Sequence, residues 1–537
     1  AKPAEQTPLI AMLATRLLHE AGVPNDALHL VPGDGRIGSA LTSHRDVDGV
    51  CFTGSVATAK AIAQSLSTTG RAAIPFIAET GGINAMIVDC SALPEQVVHD
   101  VLTSAFQSAG QRCSALRILC LQANIADHVI SILKGALNEL RVGDPSRLDT
   151  DVGPLIDTDA QQQVAAYLQS RTETTNAPLD KKIATQGTFV APAILEVAQI
   201  ADVEREVFGP VLHIFRYHAR DLAKVVQEIN HLGYGLTFGI HSRIRRRAQI
   251  MIDRADIGNI YVNRHMVGAV VSQQPFGGHA LSGTGPKAGG PHYLLRLSQR
   301  ARAANRIEHQ LEFTNAALDT RIRSVLDLVR KAQTQWRQTS RHVERVQFAC
   351  ELVAANASHS LSAAASRVRL PDAADLSPSL ANIAGEENSL RLLPRGVLLC
   401  LDFASDTLDA LATQIFMAIA TGNGVIAAVR ADCAQELREL IAELHQMGVQ
   451  DNLIACIDLP TARIPSAWLT ELAIDGVVFD GSNFDRNVIA TQLNTRKGAL
   501  LPLLSSHDDL YRFCLEQTVT INTAAAGGDP RLLALAG

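Results

Sequence analysis

Phe106-Gln-Ser-Ala-Gly-Gln-Arg-Cys-Ser114 decides how this chain is read. It sets one cysteine, Cys113, behind a Gly-Gln-Arg turn and ahead of an apolar run, residues 115–121, that reads as a strand. Before it, residues 94–106 place Val97, Val98, Val101, Leu102 and Ala105 on one side of a helical period. A thiol at such a junction is held by backbone and can face a cleft. Its thiolate can attack a carbonyl carbon if its pKa is lowered and a base stands near. A lone cysteine is more often a small buried apolar residue. Here the neighbouring segments reverse that reading.

One such neighbour is Glu79, which closes the apolar run 73–78 and is followed by Gly81 and Gly82. A carboxylate at a strand end beside a Gly-Gly turn can serve as a general base, because backbone or ligand can come close to it. Further upstream, Asp48-Gly-Val-Cys-Phe-Thr-Gly-Ser55 runs a strand into a Gly-Ser turn and then a helix over 56–66. Helix N-terminal amides in that setting receive phosphate. The opening residues lead into a helix over 8–21, with Thr7 at the N-cap, Pro8 in the first turn and Gly22 just past the end. A short strand is expected over 28–31. This alternation predicts an α/β fold with a parallel sheet of nucleotide-binding type.

Bulk properties exclude several classes. The 537 residues are 47% apolar and 19% charged with net charge −6, an ordinary globular composition with room for two or three domains. The mild acidity argues against a nucleic-acid partner, and the Arg243–Arg247 cluster reads as one solvated helix face. Nine scattered cysteines without CxxC pairs imply reduced thiols, a cytoplasmic setting and no metal site. No apolar run reaches the roughly 18 residues a membrane span needs.

The segments Ala78–Ala85 (AETGGINA) and Ser108–Ala115 (SAGQRCSA) together resemble the general-base and nucleophile motifs of the aldehyde dehydrogenase superfamily. The resemblance implies Cys113 as nucleophile, Glu79 as base and NAD as cofactor. It also implies that Lys2 and Glu5 grip the adenosine ribose. Thr53, Gly54 and Ser55 would then hold the pyrophosphate. Glu206 and Phe208, in Glu206-Val-Phe-Gly-Pro210, would meet the nicotinamide ribose and ring. The run Ser282–Tyr293 is narrower. It is similar to the glutamate-γ-semialdehyde dehydrogenase branch and, within it, to the dehydrogenase part of bifunctional proline-utilisation proteins. There Ser114, Gly268 and Ala269 would hold the substrate's amino-acid end, with Phe276 along its aliphatic chain.

The implied reaction is oxidation of L-glutamate γ-semialdehyde to L-glutamate, the second step of proline breakdown. The same resemblance implies a homo-oligomer. It further implies a proline dehydrogenase domain upstream, with FAD expected only there.

Near the other end, Asp475-Gly-Val-Val-Phe-Asp-Gly-Ser482 echoes Asp48–Ser55. The same slide sets Asp480 opposite Thr53 and Ser506 opposite Glu79, so the second copy has lost its chemistry. An acid in a phosphate turn repels pyrophosphate. The expected domains are therefore a partial Rossmann-type NAD-binding domain over 1–81, a catalytic domain over 82–300, and a helical segment with linker over 301–389. A degenerate, non-catalytic aldehyde-dehydrogenase-like domain follows over 390–510, with a strand-bearing tail over 511–537. Copy one has no counterpart to residues 393–427 of copy two. In the family that region supplies a first strand–helix unit and an Asn oxyanion donor. The expectation is an N-terminally truncated chain of weak activity. The rival readings are a non-catalytic cofactor-binding or assembly module, an aldehyde dehydrogenase of another substrate, and a cysteine hydrolase without nicotinamide.

Overall fold

The computed structural model describes residues 1–171, 187–298, 311–339, 380–381, 383–403, 408–459 and 463–524. Two sheets organise them. The larger has eight strands in the order Glu386–Pro394, Cys514–Asn522, Asn259–Val262, Thr237–His241, Asn84–Val88, Leu116–Gln122, Val211–Tyr217 and Ala193–Val197. Its neighbours are parallel throughout, except that Glu386–Pro394 runs antiparallel to Cys514–Asn522. The second sheet has five parallel strands in the order Ile454–Leu459, Gly424–Arg430, Val397–Asp402, Gly476–Phe479 and Leu503–Leu504.

Both faces of each sheet are covered, which is why their strands read as continuous apolar runs. In Asn84–Val88, Met86 and Val88 join one core while Ala85 and Ile87 join the other. In Val397–Asp402, Leu398 and Cys400 face one core, and Val397, Leu399 and Leu401 the opposite one. The helix before the cysteine spans Pro94–Phe106, the bounds its apolar period predicts, and it buries Val97, Val98, Val101 and Ala105. The charged, periodic segment after residue 310 gives the helix Thr320–Thr339, whose Ile322, Leu326 and Val329 pack on the five-stranded sheet. Residues 299–310 and 340–379, which hold most of the expected linker, lie outside the described residues.

A third pairing carries the first copy of the echo. Val50–Thr53 runs parallel to Phe76–Glu79, with Thr53 beside Glu79. The helix Val56–Thr68 follows, capped by Ser55. In the second copy, strand Gly476–Phe479 leads to helix Asn483–Asn494, capped by Ser482. Each turn glycine lies under a preceding Phe ring, Gly54 under Phe52 and Gly481 under Phe479. The two helices pack on each other, and Asn494 Nδ2 donates to Ser67 Oγ at 3.2 Å across a separation of 427 residues. That separation is the slide relating the copies, so equivalent positions meet, as they would about a two-fold axis.

Two local expectations differ from the structure. Residues 28–31 form no strand. Their one ladder-like exchange is with Ala1, whose ammonium donates to His29 O while Val31 N donates to Ala1 O at 2.8 Å. Thr7 sits at the cap of Pro8–Glu20, but its side chain makes no cap bond and turns back towards Ala4 O.

Candidate active site

Cys113 leaves its turn under strong backbone constraint. Ser108, Ala109 and Gly110 have φ of 56°, 54° and 67°. A Cβ on Gly110 would stand 2.2 Å from Gly209 O, so the chain can pass there only as glycine. Asn84 fixes the other side: its Nδ2 donates to Cys113 O at 2.7 Å and Ala115 O at 2.9 Å, and its Oδ1 accepts from Thr237 N at 3.1 Å. A buried amide with these bonds joins three neighbouring strands to the cysteine turn.

The thiol is half-buried. Burial pushes its pKa up, the Glu79 and Glu206 carboxylates push the same way, and bonds from the Ser114 and Cys113 amides oppose them. Glu79 is raised to about 8, chiefly by burial, against a bond from Gly278 N and the charge of Lys287. Its Oε2 accepts from Gly278 N at 3.0 Å, while Oε1 is buried with no hydrogen-bond partner. A carboxylate with one oxygen held and one free is arranged to take a proton from water. Thiol and carboxylate thus share one electrostatic environment.

The Gly-Ser turn adjoins this pair. Gly54 N donates to Glu79 O at 3.1 Å, and Thr53, Gly54 and Ser55 are exposed ahead of a helix whose first amides have no helical acceptor. Glu206 comes in from the far side. A Cβ on Gly81 would meet its Oε2 at 2.0 Å. Burial raises Glu206, with Arg117 and a bond from Gly82 opposing. Phe208 is 46% exposed and lies under the Arg117 guanidinium, 5.5 Å from the ring centroid.

Two expected residues stand apart from this pair. Lys2 donates to Pro3 O at 2.6 Å and Gly33 O at 2.9 Å, and Glu5 is exposed. Ser114 is buried, and its carbonyl accepts from Thr237 Oγ1 at 3.2 Å. Gly268 has φ 77° and open space where a Cβ would sit, and Ala269 is half-buried beside it. Their loop is tied to the helix before the cysteine by Met266 N donating to Ser104 Oγ at 3.0 Å. Phe276 exchanges two backbone bonds with Ala288.

Sequence reading missed four residues. Asn84 lies inside the motif Ala78–Ala85, where no role was expected of it. Arg117 is 1% exposed and reaches Glu206 at 3.4 Å and Gly209 O at 3.2 Å. Its signal was a lone charge in the apolar strand LRILCLQ. Lys287 and Glu516 stand behind Glu79. A large cavity of about 1330 Å³ does not include Cys113 in its lining. It lies between the two copies, lined by Gly278 and Lys287 on one side and Asp480 and Arg486 on the other. Among the described residues no group of three or more His, Cys, Asp or Glu could hold a metal, and no helix is long and apolar enough to cross a membrane.

The family profile described as "Aldehyde dehydrogenase family" matches residues 1–302. The chain belongs to that family. It is 40% identical over 563 aligned residues to the "Bifunctional protein PutA" of Escherichia coli (strain K12), spanning all of this chain and 39% of that protein. It is 34% identical over 305 residues to the "1-pyrroline-5-carboxylate dehydrogenase" of Geobacillus kaustophilus (strain HTA426), covering 55% of this chain and 58% of that one. Among solved structures, a bifunctional proline utilization A protein superposes with TM-score 0.54 at 55% identity over 55% of this chain and 30% of the other. A 1-pyrroline-5-carboxylate dehydrogenase from Thermus with bound NAD gives 0.52 at 32% identity, over 55% of this chain and 58% of the other. This chain therefore spans about two fifths of the length of the curated bifunctional relatives it matches. These relatives agree with the aldehyde-dehydrogenase-like α/β fold expected from the sequence.

Proposed function

We propose that the protein oxidises L-glutamate γ-semialdehyde to L-glutamate with NAD⁺. The observation that carries this reading is the meeting of a half-buried thiol, Cys113, and a carboxylate with one free oxygen, Glu79, beside an exposed Gly-Ser helix turn. The cofactor fits these residues. Thr53, Gly54 and Ser55 offer an open phosphate turn, and Glu206 reaches the glycines after Glu79, where a Cβ would collide with it. NAD⁺ supplies the hydride acceptor.

The chain's own groups do the rest. The Cys113 thiol gives up its proton to solvent water, and the thiolate sulfur bonds to the aldehyde carbon as the carbonyl π pair moves onto oxygen. The Cys113 amide donates to the oxygen that becomes negative. After hydride loss the carbon is held as a thioester. Glu79 Oε1 takes a proton from water while the hydroxide adds to the thioester carbon, releasing the acid and the thiolate. Ser114 and the Gly268–Ala269 backbone would hold the substrate's α-carboxylate with fixed donors, and Phe276 would line its methylenes. Lys2 and Glu5 would turn to the adenosine ribose when the cofactor binds. A flavin-bearing proline dehydrogenase domain in the same protein would supply the substrate, and the protein would assemble as a homo-oligomer.

The test is NADH formation from the semialdehyde beside a simple aldehyde such as propanal, in the wild type and in Cys113→Ala. Preference for the semialdehyde is expected, with at least about a 10³-fold loss in the variant. Oxidation of propanal alone would reassign the substrate, and equal rates in the two proteins would end the reading.

A further inference from the structure

Behind Glu79 stands a lysine that the chemistry above does not use. Lys287 is 2% exposed. Its ammonium donates to Gly258 O at 2.8 Å, Asn259 Oδ1 at 2.6 Å and Gly277 O at 2.8 Å. The third bond matters most. Gly277 C=O and Gly278 N–H belong to one peptide group, and that N–H donates to Glu79 Oε2. A single planar peptide is thus gripped at its oxygen by a cation and at its nitrogen by the base. Polarising the carbonyl strengthens the N–H as a donor, because hydrogen bonds in series reinforce one another. A stronger donor favours the carboxylate over the acid.

We propose that Lys287 is a positioning residue for Glu79, acting through the Gly277–Gly278 peptide, and that its charge sets the pH range in which Glu79 serves as a base. The lysine is placed from far along the chain. Lys287 N donates to Glu516 Oε2 at 2.7 Å, and Glu516 Oε1 meets His292 Nδ1 at 2.7 Å. Glu516 lies on Cys514–Asn522, the strand inserted between Glu386–Pro394 and Asn259–Val262. The strand near the C-terminus therefore completes the support of the catalytic carboxylate. With Lys287 and Glu516, the Cys113 thiol and the Tyr293 hydroxyl are the titratable groups that feel Glu79. Lys287 feels Glu79 and Glu516, and its charge is felt by His279. Burial lowers Lys287, while both carboxylates oppose this and the three acceptors around its nitrogen, Gly258 O, Asn259 Oδ1 and Gly277 O, require the three N–H groups of the charged form.

The inference rests on Glu79 being the base, but its test needs no turnover. The carboxylic-acid carbonyl stretch of Glu79, isolated by subtracting the infrared spectrum of Glu79→Gln, is followed over pH. In Lys287→Met the midpoint should rise by about one pH unit, a tenfold smaller base fraction at a fixed pH below the midpoint. Lys287→Gln, which keeps a donor to Gly277 O but no charge, should shift the same way, and Lys287→Arg should stay near the wild type. The Gln and Arg pair decides if the Met variant does not fold. A midpoint unmoved by Lys287→Gln, or moved equally by Gln and Arg, overturns the proposal. A midpoint that shifts as stated in a protein oxidising no aldehyde would sink the functional reading and leave this coupling standing.

Discussion

The strand–turn–helix unit occurs twice, and the copies differ in what occupies the turn. In copy one Thr53, Gly54 and Ser55 are exposed and Ala59 is the small buried residue beneath them. In copy two Asp480 fills the equivalent place. Its Oδ1 accepts from Ser505 Oγ at 2.6 Å and Ser506 N at 2.8 Å, and its Oδ2 accepts from Gln414 Nε2 at 3.0 Å. Arg486, opposite Ala59 by the same slide, donates to the carbonyls of Phe479, Leu503 and Leu504. Copy two thus fills its turn with one acid and one base tied into the neighbouring strand, where copy one has an exposed threonine and an alanine. The fold persists without the site because sheet and caps depend on apolar runs and Ser caps, while the site depends on what the turn leaves free.

The largest break in the comparison should come at the pair Glu79 and Ser506. Replacing Glu79 by Gln removes the base but keeps the shape. Steady-state turnover should fall about 10²–10⁴-fold, while a rapid first equivalent of NADH persists, since acylation precedes the base's step. Ser506→Ala should leave both unchanged. Stopped-flow absorbance reads the two phases. Loss of the burst together with turnover would move Glu79 from hydrolysis to thiol activation.

A smaller effect is expected from Asp480→Ala, and on stability alone. The change strands the Ser506 N–H, leaves Gln414 Nε2 only its bond to Leu401 O at 3.3 Å, and leaves Arg486 in the turn. Unfolding by urea should show a loss of about 1–3 kcal/mol, the cost of leaving buried donors unpaired. Cofactor binding at copy one should not change. Titration with NAD⁺ that revealed a second site in this variant would show that Asp480 alone closes the turn and that Arg486 is incidental.

Much of this contrast was legible in sequence, and the illegible part has a common cause. Local periods fixed Pro94–Phe106 to the residue, and the echo of Asp48–Ser55 in Asp475–Ser482 located both turns. The strand expected over 28–31 failed because β structure needs a paired strand, and among the described residues its backbone exchange is with the single residue Ala1. Arg117 could have been found as a charge in an apolar strand. Lys287 and Glu516 could not be joined in advance: they lie 229 residues apart and meet only because Cys514–Asn522 enters the eight-stranded sheet beside Asn259–Val262. Nor does periodicity say that Gly277–Gly278 turns its N–H to Glu79. Close packing of glycines, with a Cβ on Gly277 falling 2.7 Å from Glu79 Oε1, is visible only in three dimensions.

The smallest effect should come where the copies touch. Asn494 donates to Ala63 O at 3.0 Å and to Ser67 Oγ at 3.2 Å, and Asn487 Oδ1 accepts from Ala72 N at 2.8 Å. Lys60, the equivalent of Asn487, donates to Arg496 O at 3.0 Å. Because equivalent positions meet, each side contributes similar polar bonds around an apolar centre that includes Ala63, Leu66, Ala490 and Leu493, all buried. Asn494→Ala removes one side's amide and leaves Ser67 able to turn back to Gln64 O, which it already meets at 3.0 Å. The expected loss is therefore about 0.5–1.5 kcal/mol, the net worth of a partly solvated bond, with turnover unchanged. Two separated unfolding transitions in the variant would show that this contact, not the shared strand Cys514–Asn522, makes the copies unfold as one unit. A single transition with a slightly lower midpoint assigns that coupling to the strand.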